Sequence, residues 1–377
     1  MTDPTPTAAD DFYDAPPLGF DPSPGTILRR RPVILPGLTG VSTAWQVVYA
    51  TRTGFSAPIP ASGTVLIPDP ANNPDGYRIL LYCPTFHGLG GPCAPSQKLA
   101  AGTEGETPQI EAALARGWTV IIPDGLGLGM TGVGPHLWLS GAAAAHAGLD
   151  LARTVGELLG PGVASIPSVV WGYADGGRAA VWTAELAGRY APDIDLRGVI
   201  AGAVASDLGA LARDLDGTPC AGLVLAGLVG LGRAYSHLPL DHLLTTFGRL
   251  VSGRAGDMDA AGLLAQHRAP VSSWCERPDP WEDPMWRYVL TTERRSGHLP
   301  QVPAHLYHGF DDPVIPITQG RRLADEYRAE GVQVSWRDYP SDHTATASTA
   351  TGDALDRAAD FLTRSPHTPP ATSPDAA

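Results

Sequence analysis

Short apolar runs rich in β-branched residues recur along this chain at 45–50, 63–67, 79–83, 118–122, 168–171, 198–203, 304–308 and 332–339. Runs of this length, bounded by Gly, Pro, Asn or Asp, read as strands. Between them, apolar positions at three- and four-residue spacing predict helices over 108–116, 141–159, 175–190, 318–329 and 343–362. Thr107-Pro108 reads as a helix N-cap followed by proline at the first helical position. Strands alternating with such helices predict an α/β fold, a mostly parallel sheet with helices on both faces.

The stretch 206–299 breaks the alternation. It carries Leu, Gly, Ala and Arg at helix-like spacing and no convincing strand, yet it separates two strands of the sheet. It is therefore read as an inserted helical cap, over the strand ends where α/β sheets bind ligands. The expected order is a disordered leader 1–25, a first part of the core 26–205, the cap 206–299, a second part of the core 300–363 and a disordered tail 364–377.

The sharpest local signal is Trp171-Gly172-Tyr173-Ala174-Asp175-Gly176-Gly177, which follows an apolar strand and opens an Ala-rich helix. This is the frame of a nucleophile elbow, G-x-S-x-G, with alanine where the serine should be. Glycines two before and two after the nucleophile are needed because the strand-to-helix turn leaves no room for Cβ atoms. Gly172 and Gly176 fill those positions, while the methyl group of Ala174 cannot attack anything. Centring the turn on Asp175 instead would put Tyr173 in the tight slot two residues before it, so the register argues against an aspartate nucleophile.

An elbow of this kind requires an acid and then a histidine on loops after late strands. The strand 304–308 runs into Gly309-Phe310-Asp311-Asp312-Pro313-Val314-Ile315-Pro316, and the strand ending at Tyr339 leads to Pro340-Ser341-Asp342-His343. Asp312 is the preferred acid, with Asp311 an alternative, and His343 is the base. Turn and cap residues are the ordinary explanation of each alone, but order and placement favour the joint reading. An oxyanion site needs two backbone N–H groups. Asp175 supplies one, and the turn Pro84-Thr85-Phe86-His87-Gly88-Leu89-Gly90-Gly91 after the strand 79–83 supplies the other, from His87 or Gly88.

Composition narrows the partners. With 377 residues, 26 basic against 39 acidic side chains and a net charge of −13, the chain is not expected to bind nucleic acid or an anionic membrane surface. Charged residues make up 17%, below the roughly 25% usual for soluble domains. The longest apolar stretch, 221–232, is short of the about 18 residues of a membrane span, so no stable insertion is expected. The acidic, proline-rich start has neither a charged n-region nor an apolar h-region, so no signal peptide is expected and the chain should stay in the cytoplasm. Cys83, Cys93, Cys220 and Cys275 permit two disulfides by three pairings, none of them forced, and no metal-ligand spacing occurs.

Two motifs are decoys. Gly127-Leu128-Gly129-Met130-Thr131-Gly132 matches G-x-G-x-x-G, with Asp150 near the distance of a ribose-binding acid, but Val133-Gly134-Pro135 follows instead of a helix start. His305 and His308 resemble a metal pair, but three apart on a strand they face opposite sides. No cofactor and no metal are expected.

The segments PGTILRRRPV, AWQVVYATRT with GTVLIP, CAPSQKLAAGTE, ALARGWTVIIPD, WGYADGGRAAVWTAELAGRYAP, HGFDDPVIP and YPSDH resemble the secretory lipase family of the α/β-hydrolase fold, over nearly all of residues 25–362. The resemblance implies carboxylic-ester hydrolysis on acylglycerols or other lipid esters. It also implies a serine at position 174, the acid at Asp312, the base at His343, a cap that holds the acyl chain, and secretion. Ala174 departs from this pattern, so turnover by this chain is expected to be very low. Either the serine was replaced to trap a substrate complex, or the chain is a pseudo-hydrolase that binds an apolar acyl or ester ligand without cleaving it. Oligomeric state and acyl-chain length are not legible.

Overall fold

The computed structural model describes residues 11–19, 21–69, 76–90, 92–160 and 166–363. The expected disordered tail, and residues 1–10 and 20 of the expected leader, lie outside them. The described strands are β1 (Ile27–Pro32), β2 (Val41–Arg52), β3 (Pro58–Pro68), β4 (Ile79–Cys83), β5 (Thr119–Pro123), β6 (Ser168–Tyr173), β7 (Leu196–Gly202), β8 (Ala304–Gly309) and β9 (Val334–Tyr339). They form one sheet of order β1-β2-β3-β5-β4-β6-β7-β8-β9. β1, β2, β3 and β5 pair antiparallel, whereas β5, β4, β6, β7, β8 and β9 run parallel. The sheet is therefore mostly parallel, with an antiparallel wing at its N-terminal edge.

The central strands β4, β5 and β6 are buried at every position, as strands covered on both faces must be. In the β4–β6 register Ile79 faces Ser168 and Cys83 faces Gly172, which brings the ends of both strands, and the loops that follow, to one rim. Helices α3 (Gly141–Leu159) and α4 (Asp175–Tyr190) pack on each other and on the sheet. So do α2 (Thr107–Leu114) and α12 (Thr351–Leu362). Helix α10 (Ile317–Ala329) lies against β8 and β9.

Between β7 and β8 the described residues form no strand of the sheet. The chain there makes α5 (Leu208–Leu215), α6 (Ala221–Ala234), α7 (Thr246–Ala255), α8 (Ala260–Gln266) and α9 (Pro284–Thr292), joined by short 3-10 turns. Helix α6 is apolar almost all round because it is enclosed, touching α5, α7 and α8. Side chains close four of these helices at their N-termini: Asp207 accepts from Ala210 N, Thr245 from Gly248 N, Asp259 from Gly262 N, and Asp283 from Met285 N and Trp286 N.

Several sequence expectations need correcting. Within the expected leader Asp11–Tyr13 form a 3-10 turn, Phe12 and Tyr13 are buried, and the Tyr13 hydroxyl lies 2.8 Å from Ser96 Oγ. Strand β1 was hidden by its three consecutive arginines, which hold that segment. Arg29 donates to the carbonyls of Asp11, Phe12 and Asp14, and Arg31 stacks 4.2 Å over Phe12. Charged side chains suit an edge strand. Helix α1 (Pro95–Ala101) was also missed, and α2 starts at Thr107 with Glu106, not Thr107, at its cap. The expected helix 343–362 is two helices, α11 (His343–Thr349) and α12, broken at Ala350, whose neighbours Thr349, Thr351 and Gly352 are weak helix formers. All four cysteines are free.

Candidate active site

Strand β6 passes into α4 through one residue, Ala174, at φ 54° and ψ −118°. A non-glycine residue there costs of order 1–3 kcal/mol and persists only where its surroundings impose it. Ala174 N donates to Gly202 O and Ala174 O accepts from Arg178 N, each at 2.9 Å, which ties the turn to β7 and to the first turn of α4. A Cβ on Gly172 would collide with the Gly176 carbonyl, and one on Gly176 with the Cys83 carbonyl. The spacing of small residues thus follows from the closeness of three backbone segments.

Asp175 is the first residue of α4, and its carboxylate is turned to the loop after β4. It accepts from Phe86 N at 3.0 Å and from Trp138 Nε1 at 2.9 Å. Burial pushes its carboxyl up to about 6; the Trp138 bond opposes the rise and the neighbouring Glu106 charge adds to it.

At the next parallel strand ends, β8 delivers Asp312 and the loop after β9 delivers His343. His343 Nδ1 lies 2.7 Å from Asp312 Oδ2 across 31 residues of sequence. Asp312 Oδ1 accepts from the amides of Val314 and Ile315 at 2.8 and 2.9 Å, and His308 Nε2 stands 3.4 Å from Oδ2. Burial alone would raise this carboxyl. Hydrogen bonds from His308, His343 and the Ile315 amide overcome it and hold Asp312 well below the usual carboxylate range. His343 Nε2 makes no hydrogen bond to the described residues, and the Tyr173 hydroxyl donates to the His343 carbonyl at 2.7 Å. Asp311, the alternative acid, is exposed and engages Ser341 only through its backbone amide.

The loop after β4 is fastened by three carboxylates, one to each of three consecutive residues. Glu106 accepts from Thr85 N at 3.1 Å and Thr85 Oγ1 at 2.5 Å, Asp175 from Phe86 N, and Glu104 from His87 Nε2 at 2.8 Å. His87 Nδ1 lies 2.5 Å from Thr85 O, so the ring faces an acceptor on each nitrogen, an arrangement that favours its charged form. Burial opposes that charge, but the Glu104 contacts raise the His87 pKa above its ordinary value and hold Glu104 below its own. The Phe86 ring stacks on Trp138 at 4.0 Å. Leu89 N donates to Met258 O, leaving the amides of His87, Gly88 and Gly90 as the loop donors without an acceptor among the described residues. Glu104, Glu106, Trp138 and His308 were not singled out for this site from the sequence, because nothing in their spacing marks them. They matter only through contacts made in the folded chain.

Above the elbow lies a cavity of about 420 Å³. Its floor carries Thr85, Phe86, Glu106, Tyr173, Ala174, Asp175 and His343. Its walls are apolar, with Leu208, Leu211 and Leu215 from α5, Val224, Leu228 and Leu231 from α6, and Trp281, Trp286 and Leu290. Neither lysine nor arginine lines it. Asp312 lies behind His343, with no exposed side-chain surface. The structure therefore brings Ala174, Asp175 and His343 to one cavity, while His87 and Gly88 are not part of its wall, where Thr85 and Phe86 stand instead.

No helix follows the glycine-rich run 127–132 until Gly141. His305 and His308 point apart, Nδ1 of the first lying 2.8 Å from Ser335 Oγ and Nε2 of the second bonding to Ile315 O. Among the described residues no group of three or more His, Cys, Asp or Glu could hold a metal ion.

A family model described as secretory lipase matches residues 94–249. A protein named probable inactive lipase from Mycobacterium tuberculosis is 29% identical over 89% of this chain and 78% of its own length. Lipase A of Arthroderma benhamiae is 27% identical, over 93% and 79%. Among solved structures, Candida antarctica lipase A in its closed state superposes with a TM-score of 0.84 at 21% identity, covering 95% of this chain and 87% of that one. A rice cell wall degrading esterase from Xanthomonas oryzae gives 0.75 at 18% identity, over 90% and 99%. At such identities the superpositions speak for the fold, an α/β-hydrolase. The expectation of a cytoplasmic protein gains no support from a family described as secretory, and among the described residues no helix is long and apolar enough to cross a membrane.

Proposed function

Since the chain belongs to the secretory lipase family of carboxylic-ester hydrolases, we propose that its site is built for a Ser-Asp-His mechanism on acylglycerols or other lipid esters, with alanine at the nucleophile position. The single observation that carries this reading is the 2.7 Å contact of His343 with Asp312, on the cavity floor that also carries the turn at Ala174. In that mechanism a side chain at position 174 attacks the ester carbonyl. His343 Nε2 takes its proton and later returns it to the leaving alcohol, Asp312 holds the imidazole tautomer, and the backbone amide of Asp175, at the cavity floor, receives the oxyanion. The apolar helices between β7 and β8 act as the cap that receives the acyl chain, and the chain is secreted.

The test is Ala174→Ser, assayed on p-nitrophenyl esters of several chain lengths. The expected gain is at least about 10³-fold, abolished by adding His343→Ala. A folded Ala174→Ser protein as inactive as its parent overturns the reading. The kinship with a protein named probable inactive lipase favours a second reading, a site that binds an apolar acyl or ester ligand without cleaving it. A revertant that stays inactive but binds such esters supports that second reading.

A further inference from the structure

We propose that the chain as it stands, with alanine at 174, is a single-step esterase in which His343 activates water directly. The proposal rests on the Ser-Asp-His reading of the site and goes beyond it, because that reading alone leaves this chain without a nucleophile.

Losing the serine hydroxyl removes one oxygen and leaves the rest of the machinery standing. His343 is held at Nδ1 by Asp312, so its Nε2 carries the lone pair, and that nitrogen has no partner among the described residues. His343 and Ala174 both line a cavity of about 420 Å³, far more than the ~30 Å³ share of one water molecule in the liquid. Where a serine Oγ would stand there is the methyl of Ala174, on a turn that still holds φ 54°. A water beside that methyl, hydrogen-bonded to Nε2, occupies the hydroxyl's place with its oxygen facing the bound ester.

The reaction balances without any further reagent. The water oxygen attacks the carbonyl carbon as its proton passes to His343 Nε2, giving a tetrahedral intermediate whose oxyanion faces the N-terminal amides of α4. The intermediate collapses, the carbon–oxygen bond to the alcohol breaks, and the imidazolium returns its proton to the leaving oxygen. Acid and alcohol are released with no acyl-enzyme. The cost is entropic: a mobile water replaces a covalently placed hydroxyl. Substrates with good leaving groups, aryl esters and thioesters, are therefore the class this route serves.

The experiment is stopped-flow and steady-state hydrolysis of p-nitrophenyl butyrate by the unaltered protein. The expected result is linear product formation with no burst, on the order of 10³-fold above the spontaneous rate, no acyl adduct in the intact mass, and no inhibition by a fluorophosphonate. The rate falls at least tenfold in His343→Ala and in Asp312→Asn, each verified as folded by its thermal melt. Equal rates in parent and folded variants, or a burst with an acyl adduct on the parent, overturn the proposal. Hydrolysis by Ala174→Ser with none above background in the parent sinks this inference and leaves the family reading standing. Inactivity of both proteins, melts intact, sinks that reading as well.

Discussion

Arg178, in the first turns of α4, places its guanidinium 2.8 Å from the carboxylate of Glu293, and both side chains are at most 3% exposed. Glu293 follows α9, so this pair pins the helix behind the elbow to the far end of the stretch between β7 and β8. The same carboxylate accepts from Gly141 N and from the Tyr235 hydroxyl, at 2.9 and 3.0 Å. Its three partners thus come from core and insertion together. Glu293→Ala leaves a buried, unpaired arginine and is expected to cost about 3–5 kcal/mol, read by urea denaturation. Replacing both members by apolar residues, Arg178→Met with Glu293→Leu, is expected to cost much less. Equal losses in the single and double variants would contradict this account.

The acid limb of stability should carry the mark of Asp312. Its folded pKa lies below the unfolded value of about 3.9. The stabilisation is therefore complete above that pH and is lost as the pH falls through it towards the folded pKa. Asp312→Asn is expected to be about 2 kcal/mol less stable at pH 7 and to lose less than the parent below pH 4. Melting temperatures between pH 2 and 8 decide it, and parallel profiles for the two proteins would remove Asp312 from the acid limb.

Glycine at 172 is required by backbone proximity, since its added Cβ would meet the Gly176 carbonyl, which cannot move without unwinding α4. Gly172→Ala should cost about 3 kcal/mol or more. Gly156→Ala, on α3 with open space around it, should be neutral or slightly stabilising. Thermal melts of the two variants compare an identical chemical change at a crowded and an open position.

The loop after β4 depends on its carboxylates. Glu106→Ala removes the acceptor of both Thr85 N and Thr85 Oγ1. In an Ala174→Ser background it is expected to lower kcat about tenfold or more, with KM little changed, because a displaced loop misplaces donors needed only in the transition state. A change confined to KM would assign Glu106 to substrate binding instead.

How much of this the sequence disclosed follows from which forces act locally. The elbow frame, strand β4 and helices α3 and α4 were legible to the residue, because Gly172, Gly176 and the apolar periodicity answer to constraints within a few residues. Asp312 and His343, picked out by their order after late strands, lie 2.7 Å apart in the folded chain. Strand β1 was not legible, because its arginines pair with carbonyls and rings of the preceding segment, which no local pattern records. The fastening of Thr85, Phe86 and His87 by Glu106, Asp175 and Glu104 was equally hidden. Asp175 comes from 89 residues away, and a carboxylate in a helix-start sequence looks like any other first-turn acid.

The turn at Ala174 bears on the ancestry of such a chain. A protein with no use for an attacking side chain is free to let that backbone relax, by admitting a larger residue at Gly176 or a glycine at 174. Here the unfavourable conformation persists intact. Alanine and serine codons can differ by a single base, so position 174 stands one point mutation from the residue that the proposed mechanism calls for.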